Sequence, residues 1–356
     1  MAIRLETNLL NLETDQYAGK GQRAPGLSVI AESARAIEAL GYDGATCPEA
    51  GHDPFLPLAI AAEHTQRIHL ATNVAIAFPR SPLVTAQIAW DLQHLSDGRF
   101  QLGLGTQVKG HNERRYAAPW TAPPGPRLRE YVRCLQAMFA SFQHPEEPTY
   151  FEGEHYRFTM MPPFFNPGPI EHPQVPIYVG LVNKYMARVA GELCNGVRLH
   201  PIGTFRYTRE IIRPAIERGA KKAGRSVDEI DVVGAPFLAL GANEEELERA
   251  KADLKQRIAF YASTRTYHAV LEAHDWLDVG AKLHQLSVEG KWQELPNCIT
   301  DEMLQEWAIV ATYDDLVARF RERCGDTYTT VLFDFPPALR RDEARVREIM
   351  QGLRAS

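Results

Sequence analysis

The sequence is informative first for what it lacks. No apolar run approaches the ~20 residues that a membrane-spanning helix needs, and the opening MAIRLETNLLNLETD has no basic-then-apolar order of an export signal. A cytoplasmic location without a membrane partner is therefore expected. Lysine and arginine form no block, and the formal net charge is -6, so a nucleic-acid partner is not expected. The five cysteines, Cys47, Cys134, Cys194, Cys298 and Cys324, are scattered and odd in number, with no CxxC pair and no Cys/His ligand spacing. They read as reduced thiols packed in a cytosolic protein. No GxSxG elbow, P-loop, internal repeat or low-complexity tract occurs. No tight Asp/Glu/His triplet stands at ligand spacing, so no metal is expected.

What is present is an alternation. Short apolar runs (IRLETNLL, YDGATCPE, IHLATNVAIAF, RFQLGLGTQ, VPIYVGLV, VRLHP, IDVVGAPFLALG, YTTVLFDFP) alternate with longer amphipathic ones such as SVIAESARAIEALG and RLREYVRCLQAMFASF. Strands alternating with helices imply parallel pairing and right-handed crossovers. About eight such units suit a single α/β domain, a closed (β/α)8 TIM barrel, better than an open sheet. Two stretches break the alternation: about 143–174, rich in Pro, Phe and Tyr, and about 264–306, which carries Trp276, Trp292 and several histidines. They are expected to be long insertion loops acting as lids or binding loops, the other reading being a self-packed surface excursion or a dimer contact.

In such a barrel the chemistry gathers where strands end and loops begin. The strand ends carry Asn8 and Asn11; Glu49, His52 and Asp53; Asn73, Val74 and Ile76, then Arg80; Gly103, Gly105, Thr106, Gln107 and His111; Gly180, Leu181, Val182 and Asn183; and His200. The set is polar without being metal-like. The glycines of GLGTQVKG permit close backbone approach to a ligand. The dinucleotide spacing GxGxxG is not met, because Val108 stands where its third glycine would be.

Longer segments carry a resemblance. TAQIAWDLQHLSDGRFQLGLGTQVKGHNERRY resembles the bacterial-luciferase-like flavin monooxygenases and their deazaflavin (F420)-dependent relatives, in which LSxGRxxLGxG closes the third helix and forms the fourth strand. ATNVAIAFPRSP is similar to the family's third strand and following loop. VPIYVGLVNKYMARVAGELCNGVRLHP resembles its fifth and sixth strands, with Asn195 for a common Asp. DEMLQEWAIVATYDDLVARFRERCGD resembles its late segment, reading Ala311-Thr312 where xGT is usual.

The resemblance implies a cofactor, F420 or alternatively FMN, whose central ring carries the redox chemistry while the protein orients it and supplies protons. In F420-dependent members a non-prolyl cis peptide ends the third strand; the matching bond is Asn73–Val74. Glu49, with His52 and His111, is the implied acid/base group, Glu49 acting as a proton donor with a pKa raised by partial burial. Asn73, Val74, Ile76, Gly105, Thr106, Gln107, Val108, Lys109, Gly180, Leu181, Val182 and His200 are the implied cofactor contacts, with Lys109, Arg80 and Arg114 available to phosphate or an acidic tail. GLGTQVKGHNERR and HDPFLPL resemble the deazaflavin branch. The leading expectation is an F420-dependent oxidoreductase acting on a small or medium apolar organic substrate. The alternatives are an FMN-dependent monooxygenase supplied by a partner reductase, and a non-catalytic flavin-binding barrel. A homodimer through the second and third helices is also implied.

Overall fold

In the computed structural model, which describes residues 3–10 and 26–355, the alternation closes into a ring. The strands are Arg4–Asn8, Gly44–Cys47, His69–Thr72 continued by Ala75–Ile76, Phe100–Gly105, Ile177–Leu181, Gly196–Leu199, Asp231–Gly234 and Thr330–Leu332. Each bonds in parallel to the next, and the last returns to the first through Arg4↔Thr330, Leu5↔Val331 and Glu6↔Leu332. The architecture is the (β/α)8 barrel that the alternation implies. Asn11 lies outside the described residues. Among the described residues no helix is long and apolar enough to cross a membrane.

Local chemistry sets the element ends. Pro82 fits the first position of the helix Pro82–Leu95 because its missing N–H would have no partner there, and the Ser81 hydroxyl caps the Val84 N–H at 3.2 Å. The expected strand IHLATNVAIAF is two strands, broken between Thr72 and Ala75. IDVVGAPFLALG is also two. Asp231–Gly234 belongs to the ring, whereas Phe237–Gly241 leaves it and pairs in parallel with Ala308–Thr312. Pro236 lies in the break, and a proline has no N–H to give a sheet ladder.

The expectation of two loose insertions needs correction. Residues 264–306 are mostly helical, with Leu277–Val288 and Asp301–Trp307 the longest pieces. Their apolar side chains form a second core: Leu271, Leu283, Leu295, Met303 and Trp307 pack with Leu254 and Ile258 of the helix Glu244–Ala262. Of the aromatics the sequence offered there, Trp276 packs against this core, whereas Trp292 stays exposed. Trp307 Nε1 donates to the Ile202 carbonyl at 2.6 Å, and His274 Nε2 meets Thr204 Oγ1 at 2.8 Å. This unit is fastened to the chain just after the sixth barrel strand. The 143–174 excursion holds a short antiparallel pair, Phe151–Glu152 with Arg157–Phe158. It is laced to neighbouring helices by Trp90 Nε1 to the Gly168 carbonyl and Ser141 Oγ to the Thr149 carbonyl. Its tip leaves Phe164 91% exposed.

The ring's interior is ionic. Glu6 is fully buried, and Arg198 donates to both its oxygens at 2.8 and 3.2 Å, while His69 Nε2 lies 2.6 Å from Oε1. Arg198 also donates to Gln101 Oε1 at 3.2 Å. Burial works to raise the Glu6 pKa, but Arg198 and His69 outweigh it and hold the carboxyl far below the usual carboxylate range. Four strands are thus tied across the barrel by one network in which both Glu6 oxygens are engaged, while Arg198 Nε is sealed without a partner among the described residues.

Candidate active site

The carboxyl ends of the strands form the mouth, and the third strand shapes it. The buried Thr72 hydroxyl accepts the Gly103 N–H at 2.8 Å and donates to the Gly103 carbonyl at 2.7 Å. The next peptide bond, Asn73–Val74, is cis. Val74 then packs onto two glycines. A Cβ on Gly105 would come within 2.5 Å of Val74 Cγ2, and one on Gly180 within 3.1 Å of Cγ1. Glycine is required at 105 by close approach, since Val74 fills the space that any side chain would take. Val74, Gly105 and Gly180, from three successive strands, are therefore brought together.

A second group gathers around Glu49. Its Oε2 accepts the Ile76 N–H at 2.7 Å and Arg80 Nη1 at 2.6 Å. Arg80 also donates to the Ile76 carbonyl at 3.0 Å and to Asp53 at 3.1 Å. The guanidinium thus joins the loops after the second and third strands and is engaged with carboxylates. Tyr116 stands beside Glu49 with its hydroxyl sealed from solvent. Burial first, then the Glu49 charge, push the phenol pKa above its ordinary value, so the hydroxyl keeps its proton. His52 Nε2 is likewise sealed and, among the described residues, without a partner. Arg115 clamps this segment by donating to the Ala50 carbonyl at 3.0 Å.

The loop after the fourth strand is only partly inward. Gln107 has φ 53 and accepts the Val108 N–H on its own Oε1 at 3.1 Å. The Thr106 carbonyl accepts from the buried Asn112 at 2.9 Å. Val108 is exposed, and so is Lys109, whose ammonium lies 3.9 Å from Glu113. His111 and Arg114 are exposed on the helix Lys109–Arg115.

His200 closes the far side. Its N–H meets the Leu181 carbonyl at 3.3 Å, and Val182 touches both hydrophobic cores. The His200 ring accepts the Ile202 N–H on Nδ1 at 3.1 Å, which leaves the proton of the neutral imidazole on Nε2. Tyr267 stacks on it with centroids 5.0 Å apart, and Tyr261 meets it edge-on at the same separation. Burial lowers its pKa to about 4, so the ring is neutral near pH 7.

Sequence reading missed several of these residues. Asp334, after the last strand, accepts the Thr7 hydroxyl at 2.6 Å and the Asn8 N–H at 3.1 Å, closing the mouth between the last and first strands. Its position at a strand end was the available signal. Tyr116 sat inside a quoted motif but carried no distinguishing spacing. Tyr261 and Tyr267 gave no signal, because the second core brings them over His200.

Residues 9–330 match the family model of luciferase-like monooxygenases. The chain is 40% identical over 306 residues to an uncharacterized protein of Mycobacterium tuberculosis, covering 86% of this chain and 89% of that one. It is 27% identical over 284 residues to the 5,10-methylenetetrahydromethanopterin reductase of Archaeoglobus fulgidus, covering 78% and 80%. Its fold is that of the coenzyme F420-dependent tetrahydromethanopterin reductase of Methanopyrus kandleri, with a TM-score of 0.75, 21% identity, and coverage of 99% and 97%.

Proposed function

We propose that this chain, which belongs to the luciferase-like monooxygenase family and is an oxidoreductase of that family, uses F420 for hydride transfer to or from a small or medium apolar organic substrate at the barrel mouth. The observation that carries the reading is the platform of Val74 on Gly105 and Gly180. A single apolar side chain held over two strands without side chains suits the flat face of a three-ring heterocycle. The sealed, unpartnered His52 Nε2 fits as well, since a buried polar atom without a partner awaits a ligand or water. The bound deazaflavin would supply a two-electron hydride carrier.

The chain's own residues divide the remaining work. Arg80 and the Ile76 N–H fix Glu49 through Oε2, leaving Oε1 to accept a proton from a substrate hydroxyl. That role is acceptor rather than the donor role the sequence suggested. Tyr116 offers a neutral O–H beside it. His200 offers a neutral Nε2–H donor whose tautomer is set by Ile202. The resemblance to the F420-dependent reductase named above supports F420. The family's monooxygenase name supports FMN with a partner reductase as the second reading. Two copies would pair through the helices Leu56–His64 and Pro82–Leu95, which expose Leu56, Val84 and Leu95.

The deciding experiment is a fluorescence titration of the pure protein with F420 and with FMN. Micromolar binding of F420 without FMN is expected. The reverse selects the monooxygenase. Binding of either without turnover across alcohols, ketones and activated alkenes selects a non-catalytic barrel.

A further inference from the structure

The more buried arginines differ in how their N–H groups are engaged. Arg198 is paired with Glu6 and Gln101, and Arg80 with Glu49 and Asp53. Arg99 makes bonds to Thr65, Ile68 and Ala62, a strut between helix end and strand. Arg127 is different. It is only 8% exposed. Its Nε donates to the Tyr156 hydroxyl at 3.0 Å and its Nη1 to the Pro119 carbonyl at 3.2 Å, and among the described residues no carboxylate pairs with it. Its guanidinium lies 4.2 Å from the centroid of Phe78 and 5.9 Å from that of Tyr156. Glu130, one turn along the helix, is turned away, accepting the N–H groups of Glu154 and His155. Among the described residues Nη2 has no partner, and it is not one of the sealed atoms.

The surroundings add positive potential. Arg127 stands in the first turn of the 20-residue helix Pro124–Gln143, where aligned N–H groups contribute roughly half a positive charge. Phe78 follows the third strand by two residues, which places the cluster on the mouth side of the barrel. A buried cation answered only by neutral acceptors is costly. Two aromatic faces offset part of that cost. An anion on the open guanidinium edge would supply the rest.

We propose that the Nη1/Nη2 edge of Arg127 is a binding position for an anionic group, a carboxylate or a phosphate ester, of a ligand at the mouth. The planar fork matches either group in two parallel hydrogen bonds. Two sources share this chemistry: the acidic tail of F420, or an anionic substituent on the substrate. The position itself does not rest on the cofactor reading, because inorganic phosphate tests it directly.

The experiment follows the thermal midpoint and the 31P line width in phosphate against chloride at matched ionic strength, for wild type, Arg127→Gln and Arg127→Lys. Wild type is expected to respond, Arg127→Gln to lose the response, and Arg127→Lys to keep part of it. Binding of F420 and of its tail-less chromophore then separates the sources. At least tenfold weaker F420 binding in Arg127→Gln, with the tail-less form unchanged, assigns the tail. Loss of the phosphate response with F420 binding unchanged assigns the substrate. A phosphate response that survives Arg127→Gln overturns the proposal. So does a wild type indifferent to phosphate, which decides the matter even if Arg127→Gln fails to fold.

Discussion

Two ionic clusters sit at different depths in this barrel. In the interior, Glu6, His69, Gln101 and Arg198 answer one another, and both Glu6 oxygens are engaged. At the mouth, Glu49 has one oxygen fixed by Arg80 and Ile76, while His52 Nε2, on the same loop, has no partner among the described residues. Similar residue types serve opposite ends. A buried carboxylate engaged at both oxygens locks the strands to one another. A network with open valences is a poor lock and a good receptor. The difference lies in the carboxylates: both Glu6 oxygens accept bonds from basic side chains, whereas the bonds to Glu49 converge on Oε2.

The contrast can be broken most severely inside. Glu6→Gln leaves Arg198 buried without its counter-charge and is expected to cost about 3–5 kcal/mol, read as a lower urea midpoint. The depressed Glu6 pKa adds a pH signature. Its contribution to stability is present above the ordinary carboxylate range and is lost as strong acid reaches the folded value. Were Glu6→Gln no worse than a surface substitution, the interior network would not be the lock described.

Glu49→Gln sharpens the other side. It keeps the Ile76 and Arg80 contacts in weakened form and is expected to cost about 1–2 kcal/mol. F420 affinity should stay within about twofold while turnover falls at least tenfold, as for loss of a general base. Unchanged turnover would take Glu49 out of the chemistry.

The smallest effect concerns His200. Its pKa in the fold is about 4 against an ordinary 6.5, because burial disfavours the imidazolium. The unfolded chain therefore binds the proton more readily. Stability falls as pH drops from about 6.5 toward about 4 and is flat above. His268 and His274 are lowered too, first by burial, and add to the same slope. His200→Gln should make the slope shallower between those values, as thermal midpoints across the window would show. An unchanged slope would mean that the ring titrates freely.

How much of this was legible in the chain depends on range. The ring was readable because each strand and helix signals itself within about ten residues; the glycines of LGLG were read as room for a ligand, and at Gly105 it is the Val74 side chain that takes the space. The strand ends named Glu49, Val74 and His200 for the same reason. The lock was not readable: Glu6 and Arg198 are 192 residues apart, and a lone Glu in IRLETN looks like any solvated charge. Residues 264–306 misled because Trp276 was visible and the core it packs against was not. Pro236 was the missed clue to the strand that leaves the ring.

That departure carries its own consequence. The chain exits on Phe237–Gly241 and comes home on Ala308–Thr312, its immediate ladder neighbour, with Gly241 opposite Thr312. Everything between is a cassette whose two ends meet. Such a segment can be lengthened, shortened or exchanged at little cost in loop closure, provided that its bonds to Ile202 and Thr204 and its tyrosine cover over His200 are kept.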